Sequence, residues 1–229
     1  MKRIASCIII PVLFAANSYA QKNFTVSSAS AKYDAKIQVQ KCKEGTCSGR
    51  GTIKLYAKNN STMLQEFKSQ DLYFNLDKSN NPSSKMEMYD EESPVFFGDF
   101  NFDGNEDLAV RNGNNSGYGG PSYDVYVYNL TINKFVLSKE LTRLASTNLG
   151  MFEIDKENKR IITESKSGCC WHQKTGYEVV PQKPLLKVYE LVEDATKGDD
   201  NVYVTEKKFV KGKWQKSTKK YKTKEYYKE

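Results

Sequence analysis

The chain has one histidine among its 229 residues, and past the N-terminus it has no apolar run long enough to cross a membrane. The histidine, His172, follows Cys169 and Cys170, so a cysteine nucleophile with a histidine base is conceivable. That pair needs a thiolate, however, which oxidised cysteines lack, and a zinc site built from three such close neighbours would be crowded. The adjacent carboxylates of Glu91 and Glu92 stand in a polar segment and indicate solvated charge. The sequence therefore predicts a protein that is not an enzyme.

The N-terminus has the pattern of a secretory signal peptide. Lys2 and Arg3 precede an apolar stretch over residues 4–16, and Ser18-Tyr19-Ala20 is a small-x-small cleavage signature. The apolar stretch is too short for a stable transmembrane anchor. We therefore expect residues 1–20 to be removed after Ala20 and the rest of the chain to be exported.

Four cysteines remain after such a cleavage, and an even number favours disulfides in an exported protein. Cys42 and Cys47 bracket a short span that can close as a small loop. Cys169 and Cys170 are adjacent, and adjacent cysteines pair with each other only in a strained ring. We favour the pairs Cys42–Cys47 and Cys169–Cys170, with two long-range bridges as the alternative.

The formal net charge of +7 is unevenly distributed along the chain. Residues 21–205 contain 23 basic and 25 acidic side chains, whereas residues 206–229 contain ten lysines and three glutamates. The sequence thus predicts a nearly neutral domain, residues 21–210, with a basic tail over residues 211–229. Export argues against nucleic acid as a partner. The tail is either a solvated extension or a segment attracted to anionic envelope polymers or lipid headgroups.

Short segments of alternating apolar and polar residues recur along the chain, as in residues 36–40, 51–56 and 123–128. Turn-forming Asn, Asp and Gly residues separate these segments at short intervals. The pattern predicts an antiparallel all-β domain, either a two-sheet sandwich or a propeller-like fold, with one short helix over residues 139–145. Trp214 and the tyrosines after it leave open that a last strand pairs back onto the sheet.

The clearest chemical signal is a nine-residue acidic loop, residues 99–107. Its side-chain oxygens fall at loop positions 1, 3, 5 and 9, and Gly104 occupies position 6. Calcium takes about six to eight oxygen ligands, and the glycine permits the sharp turn that wraps such a loop around the ion. We therefore predict a structural calcium site. Its predicted ligands are Asp99, Asn101, Asp103, Asp107 and the backbone carbonyl of Asn105.

The acidic loop is not an EF-hand, because Val110 occupies position 12, where a bidentate glutamate is needed. Strand-like sequence also flanks the loop where an EF-hand has helices. The alternative is an acidic turn without an ion, since Asp, Asn and Gly are ordinary turn residues. Three aspartates within nine residues would then repel one another, which favours the calcium interpretation.

A segment with four glycines, residues 112–123, follows directly and leads into a strand; we call it the Gly/Tyr loop. A loop held at both ends presents side chains at low entropic cost, and Tyr, Ser and Gly are typical of protein-recognition loops. We expect the calcium ion to brace this loop. The alternative is a flexible turn whose tyrosines pack on the domain surface. The predicted partner-binding residues are Ser116, Gly117, Tyr118, Ser122 and Tyr123.

Two family resemblances rest on these motifs. Residues 97–110 resemble a single calcium repeat of the FG-GAP or VCBS type, which builds propellers when many copies are present. The order of Asp-Phe-Asn-Phe-Asp-Gly at residues 99–104, Tyr-Gly-Gly-Pro-Ser-Tyr at residues 118–123 and Ser-Gly-Cys-Cys-Trp-His at residues 167–172 is similar to that of certain periplasmic immunity proteins. Those proteins protect bacteria from peptidoglycan hydrolases injected by a type IV secretion system, and they are akin to periplasmic inhibitors of invertebrate-type lysozyme.

The resemblance implies a periplasmic, calcium-binding, all-β inhibitor or immunity protein that blocks a lysozyme-like hydrolase. In the lysozyme inhibitors, a loop with a Ser-Gly-x-x-Tyr-like motif enters the substrate cleft, where its serine and tyrosine meet the catalytic carboxylates. Here Ser116-Gly117-Tyr118 has a shorter spacing and Ser122-Tyr123 is adjacent, so the pair that would enter the cleft stays open. The alternative function is an exported calcium-dependent envelope or cell-wall binding module without inhibitory activity.

Overall fold

The computed structural model describes residues 22–27, 29–76 and 93–228. The predicted signal peptide and the Glu91–Glu92 pair lie outside these residues. The described chain forms three antiparallel sheets and a few short helices, so the all-β prediction is confirmed, with three sheets in place of two. None of the described helices is long and apolar enough to cross a membrane.

The first sheet is a four-stranded meander in chain order. Its strands are β1 (Lys22–Val26), β2 (Tyr33–Lys43), β3 (Thr46–Ala57) and β4 (Met63–Asn75). Glu44 and Gly45 both have positive φ, as a two-residue turn between antiparallel strands requires. The disulfide between Cys42 and Cys47 spans this turn, which is one of the two local pairings favoured from the sequence.

The second sheet lies between two hydrophobic cores. Its strands, again in chain order, are β5 (Val95–Gly98), β6 (Asp107–Arg111), β7 (Tyr123–Asn129) and β8 (Lys134–Leu137). Every residue of β6 is buried. Leu108 and Val110 pack with the first sheet, whereas Ala109 packs with helix α1 (Lys139–Thr147) and the third sheet. Because alternate residues of a strand face opposite sides, β6 joins the two cores.

The third sheet is a six-stranded meander whose strands also lie in chain order, from β9 to β14. Its strands are β9 (Glu153–Asp155), β10 (Arg160–Ser167), β11 (Trp171–Glu178), β12 (Leu186–Asp194), β13 (Asn201–Val210) and β14 (Lys213–Lys222). The turn between β10 and β11 carries the disulfide between Cys169 and Cys170. A short helix, α2 (Thr223–Tyr227), ends the described chain.

The segment predicted as a basic tail is largely the edge strand β14. It pairs with β13 over its whole length, from Asn201 opposite Lys222 to Val210 opposite Lys213. The structure therefore agrees with the alternative in which a last strand pairs back onto the sheet. The prediction of a free tail that begins at residue 211 is corrected accordingly. Backbone hydrogen bonds hold the strand in place, because its side chains are almost all exposed and bury little apolar surface.

Candidate functional site

The acidic loop between β5 and β6 is a series of side-chain-to-backbone turns. The Asp99 carboxylate accepts hydrogen bonds from the backbone N–H of Asp103 at 3.1 Å and of Gly104 at 2.9 Å. The Asp103 carboxylate in turn accepts one from the N–H of Asn105 at 2.8 Å, and Asn101 Oδ1 accepts from the N–H of Asp103 at 3.1 Å. Gly104 has a φ of +86°, a conformation that glycine adopts without the steric cost of a side chain.

Asp107 closes the loop from inside the protein. Its side chain is fully buried, and its two oxygens accept the N–H groups of Phe100 at 2.8 Å and of Tyr128 at 2.9 Å. Burial raises the pKa of the Asp107 carboxyl to about 7 against the lowering effect of these two hydrogen bonds. The carboxylates of Asp103 and Asp99 raise the pKa further because they are like charges.

The side-chain oxygens of the acidic loop are ligands of the type that calcium binds. A carboxylate oxygen that accepts one hydrogen bond keeps a lone pair for a metal ion, and calcium prefers such hard oxygen ligands. A divalent cation would also offset the cost of holding Asp107 beside two other carboxylates. Within the described ranges, however, no three His, Cys, Asp or Glu side chains are already gathered as a metal cluster. Binding would therefore have to draw Asp99, Asp103 and Asp107 closer together.

The Gly/Tyr loop is fixed to its surroundings by backbone hydrogen bonds. Gly113 N–H donates to the carbonyl of Asp71 in β4, and Gly117 N–H donates to the carbonyl of Asn148 after α1, both at 2.7 Å. Within the loop, Ser122 N–H donates to the carbonyl of Gly113 at 3.0 Å. These hydrogen bonds tie the loop to β4 and to the segment after α1.

Arg111, the last residue of β6, secures the start of the Gly/Tyr loop. Its side chain is 1% exposed, and its guanidinium donates to the carbonyl of Gly113 at 3.0 Å and to the side chain of Asn114. The guanidinium also lies 5.7 Å from the ring centres of Tyr73 and Tyr123. No motif in the sequence points to this residue; an arginine at the end of an apolar strand is the signal that could have indicated it.

The predicted partner-binding residues Ser122 and Tyr123 are buried and support the loop from below. Ser122 Oγ donates to the carbonyl of Asn112 at 2.7 Å, and the hydroxyl of Tyr123 donates to the carbonyl of Ser93 at 3.1 Å. Tyr123 begins β7, and strand alternation turns it inward with Val125. Because both side chains are buried, the prediction that they contact a partner directly is corrected.

Tyr118 is the predicted partner-binding residue that the structure leaves at the surface. Its side chain is 65% exposed, and its φ of +58° sets it at the tip of a 3₁₀ turn, Gly117–Gly119. Ser116, just before this turn, is only 7% exposed. The ring of Tyr118 is therefore accessible to a partner that approaches the loop.

Tyr118 also contacts the β10–β11 turn, a neighbour that the sequence did not indicate. Its hydroxyl accepts a hydrogen bond from the backbone N–H of Gly168, and Lys166 Nζ lies 4.8 Å from its ring centre. Gly168 directly precedes the Cys169–Cys170 disulfide. Fifty residues separate Tyr118 from Gly168 along the chain, so no local motif links them.

The acidic loop and the Gly/Tyr loop lie at opposite ends of β6. Asp107 begins the strand and Arg111 ends it, so about 14 Å separates the two ends at the usual rise per residue. The expectation that a calcium ion braces the Gly/Tyr loop stays a prediction, and the ion would not contact that loop itself. An effect of the ion on that loop would act along β6, through the packing of the strand.

His172, on β11, lies outside both loops. Its Nδ1 is 4.0 Å from a carboxylate oxygen of Glu193, and Glu193 also accepts a hydrogen bond from the hydroxyl of Tyr226. Cys169 and Cys170 are bonded to each other, so neither sulfur is a thiolate in this form. The arrangement is a polar contact between β11 and β12, with a hydrogen bond between β12 and α2.

Comparison with known proteins gives a likeness of fold. No protein-family model matches the chain, and no curated protein matches it. A solved structure described as that of a Xanthomonas type IV secretion system related protein is similar, with a TM-score of 0.62 and 18% sequence identity. The match covers 89% of this chain and 95% of that one. The two proteins share their fold over almost their whole lengths.

Ser122→Ala is expected to lower the free energy of unfolding by about 1–2 kcal/mol, because it removes a buried hydrogen bond from the base of the Gly/Tyr loop. Ser116→Ala is the matched control. Ser116 Oγ is buried and has no hydrogen-bond partner in the described part of the chain, so its removal should be neutral or stabilising. Urea unfolding measures both changes, and equal losses would contradict the supporting role of Ser122.

Proposed function

We propose that the protein is an exported, calcium-binding inhibitor or immunity protein that blocks a lysozyme-like peptidoglycan hydrolase. The observation that carries this proposal is the geometry of the Gly/Tyr loop. Its buried residues fix it to the second sheet, and Tyr118 stands exposed at its tip. A partner that binds such a loop has little conformational entropy to remove, because the loop is already ordered.

The chemistry of Tyr118 suits the active-site cleft of a glycosidase. Such enzymes use two carboxyl groups on either side of the scissile bond. A tyrosine ring can fill an apolar sugar subsite, while its hydroxyl hydrogen-bonds a carboxylate. An inhibitor that only occupies the cleft needs no catalytic residue.

The fold likeness supports the same proposal. The similar solved structure is described as type IV secretion system related, and the immunity proteins that this sequence resembles act against hydrolases delivered by that system. Two disulfides suit a protein that works in the periplasm, where they persist. We propose that the hydrolase is the protein partner and that the periplasm is the place of encounter.

Calcium is the proposed cofactor, held by the acidic loop. The side chains of Asp99, Asn101, Asp103 and Asp107 would supply oxygens, together with the backbone carbonyl of Asn105. The ion would supply positive charge beside three carboxylates and would tie the loop to the start of β6. Its role in the proposal is structural.

Calcium should raise the melting temperature of the native protein. At about 100 times its dissociation constant a ligand adds about 2.7 kcal/mol, or about 5–10 °C for a domain of this size. Asp103→Asn should abolish most of this increase, since it removes one carboxylate but keeps an acceptor for the N–H of Asn105. Asp155→Asn is the matched control, because Asp155 caps the β9–β10 turn in the same way. An unchanged melting temperature of the native protein in calcium and in chelator would refute the site.

Inhibition should depend on the side chain of Tyr118. Purified lysozymes and muramidases encoded beside the gene would be titrated with the protein, and Tyr118→Ala should raise the inhibition constant about 30-fold or more, as for an interface hot spot. Leu130→Ala is the control, since Leu130 is 63% exposed and lies beyond the other end of β7. Full inhibition by Tyr118→Ala would move the site elsewhere, and no inhibition by the native protein would reject the proposed function.

The second candidate, an envelope-binding module, is favoured by the lysines of β14. Lys213, Lys216, Lys219 and Lys222 are exposed, and none forms an ion pair within 4.0 Å inside the described ranges. Trp214, beside them, is 42% exposed. Unpaired lysines on an edge strand attract polyanions such as anionic cell-wall polymers.

Changing these four lysines to glutamine should weaken cosedimentation with cell-wall material that carries anionic polymers, and the loss should shrink as salt screens the attraction. The control changes Lys134, Lys156, Lys159 and Lys183, which are exposed in other parts of the chain, to glutamine. Binding that survives the β14 changes, or that both sets weaken equally, would reject a specific role for the strand.

A further inference from the structure

The β10–β11 turn and the Gly/Tyr loop form one continuous surface from two different sheets. Gly168 and Cys169 are exposed at the tip of the turn, next to the exposed ring of Tyr118. The contact between them consists of the Gly168 N–H donated to the Tyr118 hydroxyl and of Lys166 Nζ at 4.8 Å from the ring centre. Tyr118 is thus held by a hydrogen bond to its hydroxyl as well as through the backbone of its loop.

The hydrogen bond from Gly168 leaves the Tyr118 hydroxyl able to act on a partner. A phenol oxygen that accepts one hydrogen bond still has its own proton to donate. A partner carboxylate could therefore receive that proton in a charge-assisted hydrogen bond while Gly168 keeps the oxygen in place. The N–H of Gly168 fixes the position of the oxygen, which a freely rotating side chain would have to find on binding.

Covalent closure keeps the Gly168 N–H directed at Tyr118. The bond between Cys169 and Cys170 makes a ring that includes the peptide group between them, so the backbone of the turn has few conformations to choose from. The carbonyl of Cys170 also accepts a hydrogen bond from Ala195 N–H at 2.8 Å, which ties the turn to the end of β12. The turn is therefore a fixed support.

Lys166 adds an uncompensated positive charge to this surface. It is exposed, and within the described ranges no carboxylate lies within 4.0 Å of its Nζ, whereas nearby Lys174 is paired with Glu164. A cation over the ring of an exposed tyrosine complements a cleft that carries two carboxyl groups, as the cleft of a glycosidase does.

We propose that the turn with the Cys169–Cys170 disulfide is the second half of the docking surface: it positions Tyr118, and Lys166 faces the acidic groups of the hydrolase. The first part of this inference concerns the free protein. The second part rests on the proposed function. The disulfide is assigned a role in recognition through Tyr118, in addition to any role in stability.

The positioning role is tested by NMR on the free protein. Tyr118→Phe should speed hydrogen exchange of the Gly168 amide about tenfold, because it removes the acceptor. The double change Cys169→Ser with Cys170→Ser should lower the backbone order parameters of residues 116–119. The same pair of changes at Cys42 and Cys47, in the first sheet, is the matched control and should leave those parameters unchanged. Unaltered exchange in the first variant, or unaltered order parameters in the second, would overturn the positioning role.

The docking role is tested with a hydrolase that the native protein inhibits. The double change at Cys169 and Cys170 should raise the inhibition constant about tenfold in the native background and should add little to Tyr118→Ala, since the turn acts through that residue. Lys166→Gln should raise the constant severalfold, and Lys156→Gln should not. Additive losses, or equal effects of the two lysine changes, would overturn the docking role.

The two tests separate the possible failures. Failure of the native protein to inhibit any hydrolase rejects the proposed function and the docking role with it. The exchange and order-parameter measurements still decide whether the turn positions Tyr118. Normal inhibition by a variant that has lost the disulfide, at an unchanged melting temperature, would overturn the inference while the proposed function stands.

Discussion

The buried carboxylate of Asp107 is the interaction on which the middle of the molecule depends. One of its oxygens holds the N–H of Phe100 at the start of the acidic loop, and the other holds the N–H of Tyr128 in β7. The same residue begins β6, which packs against both hydrophobic cores. A buried carboxylate is costly, and here it satisfies two backbone donors that would otherwise be buried without partners. The acidic loop, β6 and β7 are thereby joined at a single residue.

The opposite end of β6 is organised by a charge of the other sign. The guanidinium of Arg111 is buried near two tyrosine rings and donates to Gly113 and Asn114 in the Gly/Tyr loop. β6 therefore carries an acidic anchor at its first residue and a basic anchor at its last, each of which fixes a loop. The proposed metal site and the proposed partner-binding loop are separated by the length of one strand. A mutation at one end can act on the other end only through the packing of β6 and its neighbours.

Sequence patterns were informative where the physical cause was local. Alternation predicted the strands, and the acidic loop adopted the side-chain-to-backbone turns that its Asp and Asn residues favour. The sequence placed Ser122 and Tyr123 with Tyr118 because all three follow one another in a polar, glycine-rich segment. Their separation into buried and exposed residues depends on where β7 begins, which composition does not specify. The contact between Tyr118 and Gly168 could not be predicted from the sequence, since it arises from the packing of two sheets.

The glycines of the Gly/Tyr loop illustrate how composition can mislead about rigidity. A Cβ at Gly120 would lie 2.9 Å from Ser116 Oγ, and one at Gly117 would lie 3.1 Å from the carbonyl oxygen of Asn148. These glycines are needed because the chain packs closely there, so the freedom they bring to the unfolded chain is lost on folding. Tyr118, between them, has a positive φ, which raises the conformational energy of a residue with a side chain. This energy is already included in the free energy of folding. The loop proposed to meet a partner is therefore closely packed before binding, and the core of the second sheet supports it.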